Sequence, residues 1–365
     1  MAAKVILHIG QQKSGTTHLQ DVLGRCAGAL EAAGISYPPS LREYLPDAIE
    51  NHERAFYGLL GTEFPWVSAT RAAHERRKWD RLAERVRDCD GTVLLSAEAL
   101  SVVRADAVRR IVDELGGPPP EIVITARPLG RTLPSLWQQH VRNGRTTSLP
   151  RYLTVLARQR ALGAEAIEEE HELHLWRAFA LGGLVRRWAA VVGPERVTVV
   201  VHGGGPHDLL WTRFAAAVGA SGVTVPDGVL RRRTHESLRL AQAQIMVRLN
   251  ARLAEDGWDE ESARALRTEI ILRGGAIGPR PGVPEASAAL VARWSDEDIA
   301  GLRDSGARVL GDPGELRYDP GRDTLVPAGE HDLAEAAAAA VLAVTDRDRY
   351  APRQAMPRQR RWVRR

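Results

Sequence analysis

Residues 4–17, KVILHIGQQKSGTT, join a strand, a glycine-bounded loop and the start of a helix. The apolar run Val5-Ile6-Leu7-His8-Ile9 reads as a buried parallel strand, Gly10 opens a turn, and Gly15-Thr16-Thr17 begins a helix with Leu19, Val22, Leu23 and Leu30 on its apolar face. Free amides at such a helix start face an anion. Gly10 and Gly15 keep the spacing of a triphosphate-binding loop and Thr17 keeps its hydroxyl, but Thr16 stands where that loop has lysine. The loop's lysine is Lys13 instead. Only Lys4, Lys13 and Lys78 are lysines among 50 basic residues, so arginine is the default cation of this chain and Lys13 stands out.

Two further strand ends carry chemistry. Glu121 to Ala126 reads as a buried strand, followed by Arg127-Pro128 and a segment from Leu129 to Val141 at helical spacing. Arg127 therefore sits at the carboxyl end of a parallel strand, the edge where open α/β sheets hold ligands. Ser135 follows eight residues later, and Pro128 and Pro134 both suit positions near a helix start. Thr92 to Ser96 is a third strand pattern, with Glu98 just beyond it on the same rim. An ionised carboxylate in a partly desolvated cleft accepts a proton near neutral pH. The plainer role for Glu98 is to cap a helix start together with Ser96.

A strand followed by G-x-x-K-S-G-T-T closely resembles the 5′-phosphosulfate loop of sulfotransferases that use 3′-phosphoadenosine 5′-phosphosulfate (PAPS), in their bacterial form. The resemblance spans roughly residues 4–255 and is motif-specific in two places, the Lys13 loop and the Arg127/Ser135 pair. It implies an α/β fold, a parallel sheet flanked by helices on both faces, P-loop-like, with helical C-terminal additions. It also implies PAPS as co-substrate with no metal required. In this reading Lys13 stabilises the leaving 5′-phosphate, with Ser14, Gly15, Thr16 and Thr17 around it, while Arg127 and Ser135 recognise the 3′-phosphate. One ammonium can serve where a triphosphate needs magnesium, because a single sulfuryl group moves and charge appears on one leaving phosphate. Glu98 is the expected general base, with His140 and His18 as alternatives.

The acceptor is expected to be a hydroxyl on a sugar or a small natural product. Its pocket would come from residues 40–90 and 143–190, which contain Trp66, Trp79, Trp176 and Trp188 as either core or stacking platforms. Two other classes stay open: a P-loop phosphotransferase or nucleoside triphosphatase, favoured by the Gly10–Gly15 spacing, and a non-catalytic nucleotide-binding module.

The layout expected along the 365 residues is an α/β core over 1–278, an irregular and helical extension over 279–350 packed on that core, and a basic tail over 351–365, expected to be disordered. Strands are expected near 4–9, 92–96, 121–126 and 196–202, with a fifth at 35–37, and helices between them. Residues 278–327 read as irregular, with one short helical stretch around Ala286 to Trp294, before a helix from Leu333 to Val344. Arg231-Arg232-Arg233 precede Thr234, a candidate N-cap, and read as a donor-site contact or a solvated basic turn. The net charge of +4 and the absence of an aromatic-interleaved basic stripe argue against a nucleic-acid partner. Cys26 and Cys89 lie far apart with no metal spacing. No signal-peptide pattern precedes the first strand and no segment approaches 18 uninterrupted apolar residues, so the expected location is cytoplasmic, without a membrane span.

Overall fold

The computed structural model describes residues 2–39, 49, 51–231 and 237–345. Six strands form one sheet: β1 (Lys4–His8), β2 (Ile35–Ser36), β3 (Thr92–Ser96), β4 (Glu121–Ala126), β5 (Val197–Val201) and β6 (Arg308–Leu310), in the order β2-β3-β1-β4-β5-β6. All five pairings are parallel, with Lys4 opposite Thr92 and Ile6 opposite Glu121. The chain leaves β1 toward β2 and β3, then crosses over β1 to enter β4. That reversal puts the carboxyl ends of β1, β3 and β4 side by side, the position where such sheets open a ligand crevice.

Strand alternation divides the core into two layers. Val5, Leu7, Val93, Leu95, Ile122, Ile124, Val197 and Val199 face one layer, which is covered by helices Glu53–Leu60, Ala69–Asp88, Ala105–Leu115 and Leu181–Val192. Ile6, Leu94, Val123 and Val200 face the other, covered by helices Thr16–Arg25 and His207–Val218. Each fully buried aliphatic side chain is worth about 1.5–3 kcal/mol. Burial on both faces is why these strands read as unbroken apolar runs.

Compact packing separates the chain into two units that interleave in sequence. One contains the described residues of Met1–Gln139, Thr147–Ser237 and Pro281–Val326, and the whole sheet lies in it. The other contains His140–Thr146, Leu238–Arg280 and the described residues from Pro327 on. In this second unit helices Leu240–Glu255, Glu260–Arg273 and Glu330–Val344 pack together, and Asn250 donates to the carbonyls of Val141 (2.8 Å) and Arg145 (2.9 Å).

Several local expectations change. The region 278–327 is more regular than its Gly and Pro content suggests: it holds a 19-residue helix, Glu285–Arg303, and the three-residue strand β6. Pro134 lies inside helix Leu129–Arg142 and not at its start, where Pro128 precedes the first turn and accepts from the Arg131 and Thr132 amides. Thr234 lies outside the described residues, as do Arg232 and Arg233. The helix beyond them begins at Leu240, with the Gln242 side chain accepting from the Arg239 amide at 2.8 Å. The basic tail over 351–365 is also outside the described residues.

Two buried arginines hold the turn after β3. Arg177 is 0% exposed and donates to the carbonyls of Val102 (2.7 Å), Ile167 (2.9 Å), Glu170 (2.5 Å) and His171 (3.1 Å). Burial lowers its pKa to about 10, with Arg187 adding to the effect, so it stays cationic at neutral pH. Arg187 pairs with Glu168 at 2.7 Å and donates to the carbonyls of Ser101 (3.3 Å) and Arg177 (2.7 Å). Replacing Arg177 by Leu would leave four carbonyls to find new partners and should cost about 3–4 kcal/mol. Urea unfolding of Arg177→Leu against Arg177→Lys checks this: lysine, with three donors, should recover only part of the loss, and equal midpoints for all three proteins would refute it.

Candidate functional site

The loop after β1 is pinned from below by buried polar groups. Ile9 and Gln11 continue the pairing with β4, their amides donating to the carbonyls of Val123 and Thr125, both at 2.9 Å. Gly10 lies so close to β4 that a Cβ there would collide with Thr125 Oγ1. The Ser14 hydroxyl bonds to the Gln11 carbonyl (2.5 Å) and to Thr125 Oγ1 (2.7 Å). Gly15 has φ +96° at the N-cap of helix Thr16–Arg25, where a Cβ would stand 2.5 Å from Leu210 Cδ2. Lys13 has φ +65°, a left-handed conformation that costs a non-glycine residue about 1–2 kcal/mol. Arg127 Nη1 donates to the Lys13 carbonyl at 3.1 Å and helps hold that conformation.

Beneath the loop, His8 is buried between β3 and β4. Its Nδ1 lies 2.9 Å from Ser96 Oγ and its Nε2 3.3 Å from Thr125 Oγ1, while Gln20 donates to Ser96 Oγ at 3.0 Å. Burial lowers the His8 pKa to about 3, so the ring is neutral and uses one nitrogen as donor and the other as acceptor. Gln11, also buried, donates to the Ala178 carbonyl (3.0 Å) and accepts from the Arg127 amide (3.4 Å). Sequence reading missed this set. Its available signal was position: His8, Ser96 and Thr125 are the polar residues at or next to the carboxyl ends of three otherwise apolar strands.

Glu98 begins a short 3-10 turn, Glu98–Val102, just past β3. The Ser96 side chain does not cap that turn, being engaged with His8 and Gln20. Thr16 Oγ1 donates to Glu98 Oε2, so this hydroxyl faces the carboxylate. Burial, and then the Glu53 carboxylate, push the Glu98 pKa up to about 7, against the Thr16 hydrogen bond and the Lys13 ammonium, which favour the ionised form. Lys13, Thr16 and Glu53 thus all act on Glu98 at the carboxyl edge of β1 and β3. Glu53 was not singled out from sequence. It opens helix Glu53–Leu60, accepts from the Tyr57 hydroxyl at 3.0 Å, and follows His52, whose amide donates to the Ser96 carbonyl at 2.8 Å.

Of the other sequence-predicted residues, Thr17 is half-buried in the first turn of helix Thr16–Arg25, and Ser135 is half-buried on helix Leu129–Arg142. No hydrogen bond joins Ser135 to the loop among the described residues. His18 is buried on the first helix. His140 belongs to the second compact unit, where burial and Arg145 lower its pKa. Trp79, Trp137, Trp176 and Trp188 are core residues, whereas Trp66 is 39% exposed. Among the described residues no group of three or more His, Cys, Asp or Glu is arranged to hold a metal ion, and no helix is long and apolar enough to cross a membrane.

No protein-family model and no curated protein matches the chain. Among solved structures, the chain is similar to the crystal structure of a sulfotransferase from Alicyclobacillus acidocaldarius, at 18% identity and a TM-score of 0.40, over 72% of this chain and 100% of that one.

Glu98 makes stability depend on pH. Its folded pKa, about 7, lies above the ordinary value of 4.5, so the folded state keeps a proton that the unfolded chain releases. Stability from this group is whole below pH 4.5, falls as the pH rises toward 7, and stays lowered above that. Glu98→Gln removes the effect, so the variant should gain up to about 2–3 kcal/mol on the wild type between pH 4.5 and pH 8. Unfolding titrations at both pH values test this; a stability difference that does not change with pH would show that the Glu98 proton is not held.

Proposed function

We propose that this chain is a sulfotransferase that moves a sulfuryl group from 3′-phosphoadenosine 5′-phosphosulfate to an acceptor hydroxyl. The observation that carries the reading is Glu98, held against the loop by the Thr16 hydroxyl and lying within the field of the Lys13 ammonium. An ammonium on a strained loop, at the amino end of a helix, acts on a carboxylate whose pKa is pushed up to about 7. Sulfuryl transfer needs a proton acceptor and a charge to stabilise the leaving oxygen, and these two groups can supply them. The acceptor oxygen attacks sulfur and gives its proton to Glu98, while the bond from sulfur to the 5′-phosphate oxygen breaks and its electron pair stays on that oxygen. Lys13 stabilises the charge that appears there, together with the amides of Ser14 to Thr17. A base with a pKa near the working pH combines a useful ionised fraction with proton affinity.

Arg127 has two tasks in this scheme. Its bond to the Lys13 carbonyl supports the loop, and its position past β4, with Ser135 on the following helix, suits recognition of the donor's 3′-phosphate. The Glu98 hydrogen bond occupies the Thr16 hydroxyl, so Thr17 and the backbone amides are the contacts on the 5′-phosphate side. A P-loop phosphotransferase remains the alternative that the glycine spacing favours, and it predicts magnesium-dependent binding of nucleoside di- and triphosphates. A non-catalytic nucleotide-binding module predicts donor binding without turnover and indifference to Glu98→Gln.

Calorimetry with adenosine 3′,5′-bisphosphate against ADP–magnesium separates the first two, with the bisphosphate expected to bind more tightly; the reverse order would overturn the donor. Lys13→Ala should lower kcat by about 10²–10³. Arg127→Ala should weaken bisphosphate binding by about 2–5 kcal/mol, part of it through the loosened Lys13 carbonyl. In the wild type kcat/KM should rise with pH and level off above about 7, where Glu98 is ionised. A Glu98→Gln enzyme that keeps the same profile and rate would remove Glu98 from the reaction.

A further inference from the structure

A cavity of about 310 Å³ opens beside Glu53 and is lined by Arg54, Tyr57, Arg71, Lys78, Leu82 and Arg85, with His52 and Pro39 at its margin. Its size is at the small end for ligand sites, which run about 300–1,000 Å³. Arg71, Lys78, Leu82 and Arg85 follow one face of helix Ala69–Asp88, at i, i+7, i+11 and i+14, and that face meets helix Glu53–Leu60. Four cations therefore line one hollow. Two are fixed: the buried Glu75 carboxylate takes a hydrogen bond from Arg54 Nε at 2.6 Å and pairs with Lys78 Nζ at 2.7 Å. Arg71 and Arg85 have no carboxylate partner among the described residues. The Arg71 guanidinium lies 5.0 Å from the centre of the Tyr57 ring, and Arg85 donates to the Pro39 carbonyl at 3.1 Å. Against Glu53 and Glu75, the described residues around the hollow carry an excess of two positive charges. His52 adds none: its Nδ1 accepts from the Ser96 amide at 3.0 Å, so the proton is on Nε2, which donates to the Pro38 carbonyl.

The cavity is joined to the chemistry by Glu53, which lines it and whose charge acts on Glu98, and by the His52–Ser96 bonds that fix helix Glu53–Leu60 to the end of β3. Trp66, exposed at 39%, donates from its indole nitrogen to the hydroxyl of Tyr57, a residue of the lining, at 3.1 Å. We propose that this hollow is the acceptor subsite and that it selects an anionic acceptor, a hydroxyl compound of sugar size carrying a carboxylate or a sulfate, with the acid group paired to Arg71 or to Arg85 at either end of the helix face. This rests on the sulfotransferase reading for the word acceptor; the anion site itself does not. A neutral sugar would leave the excess charge without a partner, whereas an acid group meets it while the hydroxyl extends toward Glu98.

The test compares three disaccharides by calorimetry: one bearing a uronic acid, its sulfated counterpart, and its carboxyl-reduced neutral form. Wild-type protein should bind at least one acidic form tenfold or more tightly than the neutral form, with the preference shrinking between 0.1 and 0.5 M salt. Which acid binds better tells carboxylate from sulfate. The double variant Arg71→Gln, Arg85→Gln, at two exposed positions, should lose that preference while binding adenosine 3′,5′-bisphosphate as the wild type does. Equal binding of acidic and neutral forms by the wild type, no binding of either acid, or a preference that survives the double variant would overturn the proposal. Should the bisphosphate fail to bind while the acid preference appears and vanishes as described, the donor assignment falls and the anion site stands.

Discussion

The buried polar chain from Ser96 through His8 to Thr125 and Ser14 is the constraint from which the loop's shape follows. It joins the carboxyl ends of β3, β1 and β4 in one layer and then reaches up to the Gln11 carbonyl through the Ser14 hydroxyl. In a low-dielectric interior a fully satisfied chain of this kind stiffens the structure, and a broken one is costly, so the members hold one another in place. His8 has to be neutral for the chain to work, because a charged ring would offer two donors and no acceptor. Burial enforces that state, holding its pKa near 3. With the loop floor fixed, Gly10 can approach β4 without a side chain, Lys13 can keep its left-handed backbone, and Gly15 can start the helix.

Much of the fold was legible because strands buried on both faces must be apolar throughout. β1, β3, β4 and β5 lie within a residue or two of the positions read from sequence, and the short β2 falls within 35–37. What escaped reading is equally physical. β6 has three residues, too few for a periodicity to register, and it gains its identity only from pairing with β5. Helix Glu285–Arg303 carries Gly301 and four acidic residues, and its buried face shows only against the rest of its unit. Pro134 shows the limit of a local rule: proline suits a first turn, but packing of Leu133, Leu136 and Trp137 carries the helix through it.

The candidate site was legible where chemistry is announced by residue type, and silent where it is made by neighbours. Lys13 and Arg127 stand out as single cations at strand ends, and the structure links them through one carbonyl. Glu53 could not be seen, since its influence on Glu98 crosses 45 residues of sequence and depends on how helix Glu53–Leu60 is fixed to β3 by His52. Arg177 and Arg187 were hidden for the same reason. Each lies on an ordinary helical segment, yet both turn inward to hold the carbonyls around the Glu98 turn.

Threonine at position 16, where a triphosphate-binding loop has lysine, bears directly on the Glu98 carboxylate. A lysine at that position would bring a full charge to the Glu98 carboxylate, and a buried partner of opposite charge holds an acid ionised and lowers its pKa. The Thr16 hydroxyl offers a neutral hydrogen bond instead, a weaker bias toward the carboxylate, which burial and Glu53 outweigh. Moving the ammonium back to Lys13 therefore does two things. It keeps a cation in the loop, and it leaves Glu98 with the raised proton affinity that burial and Glu53 give it. The left-handed backbone at Lys13 fits that arrangement: its strain is held by Arg127 and the buried chain below, so the rigidity of the floor fixes the loop position from which the ammonium acts.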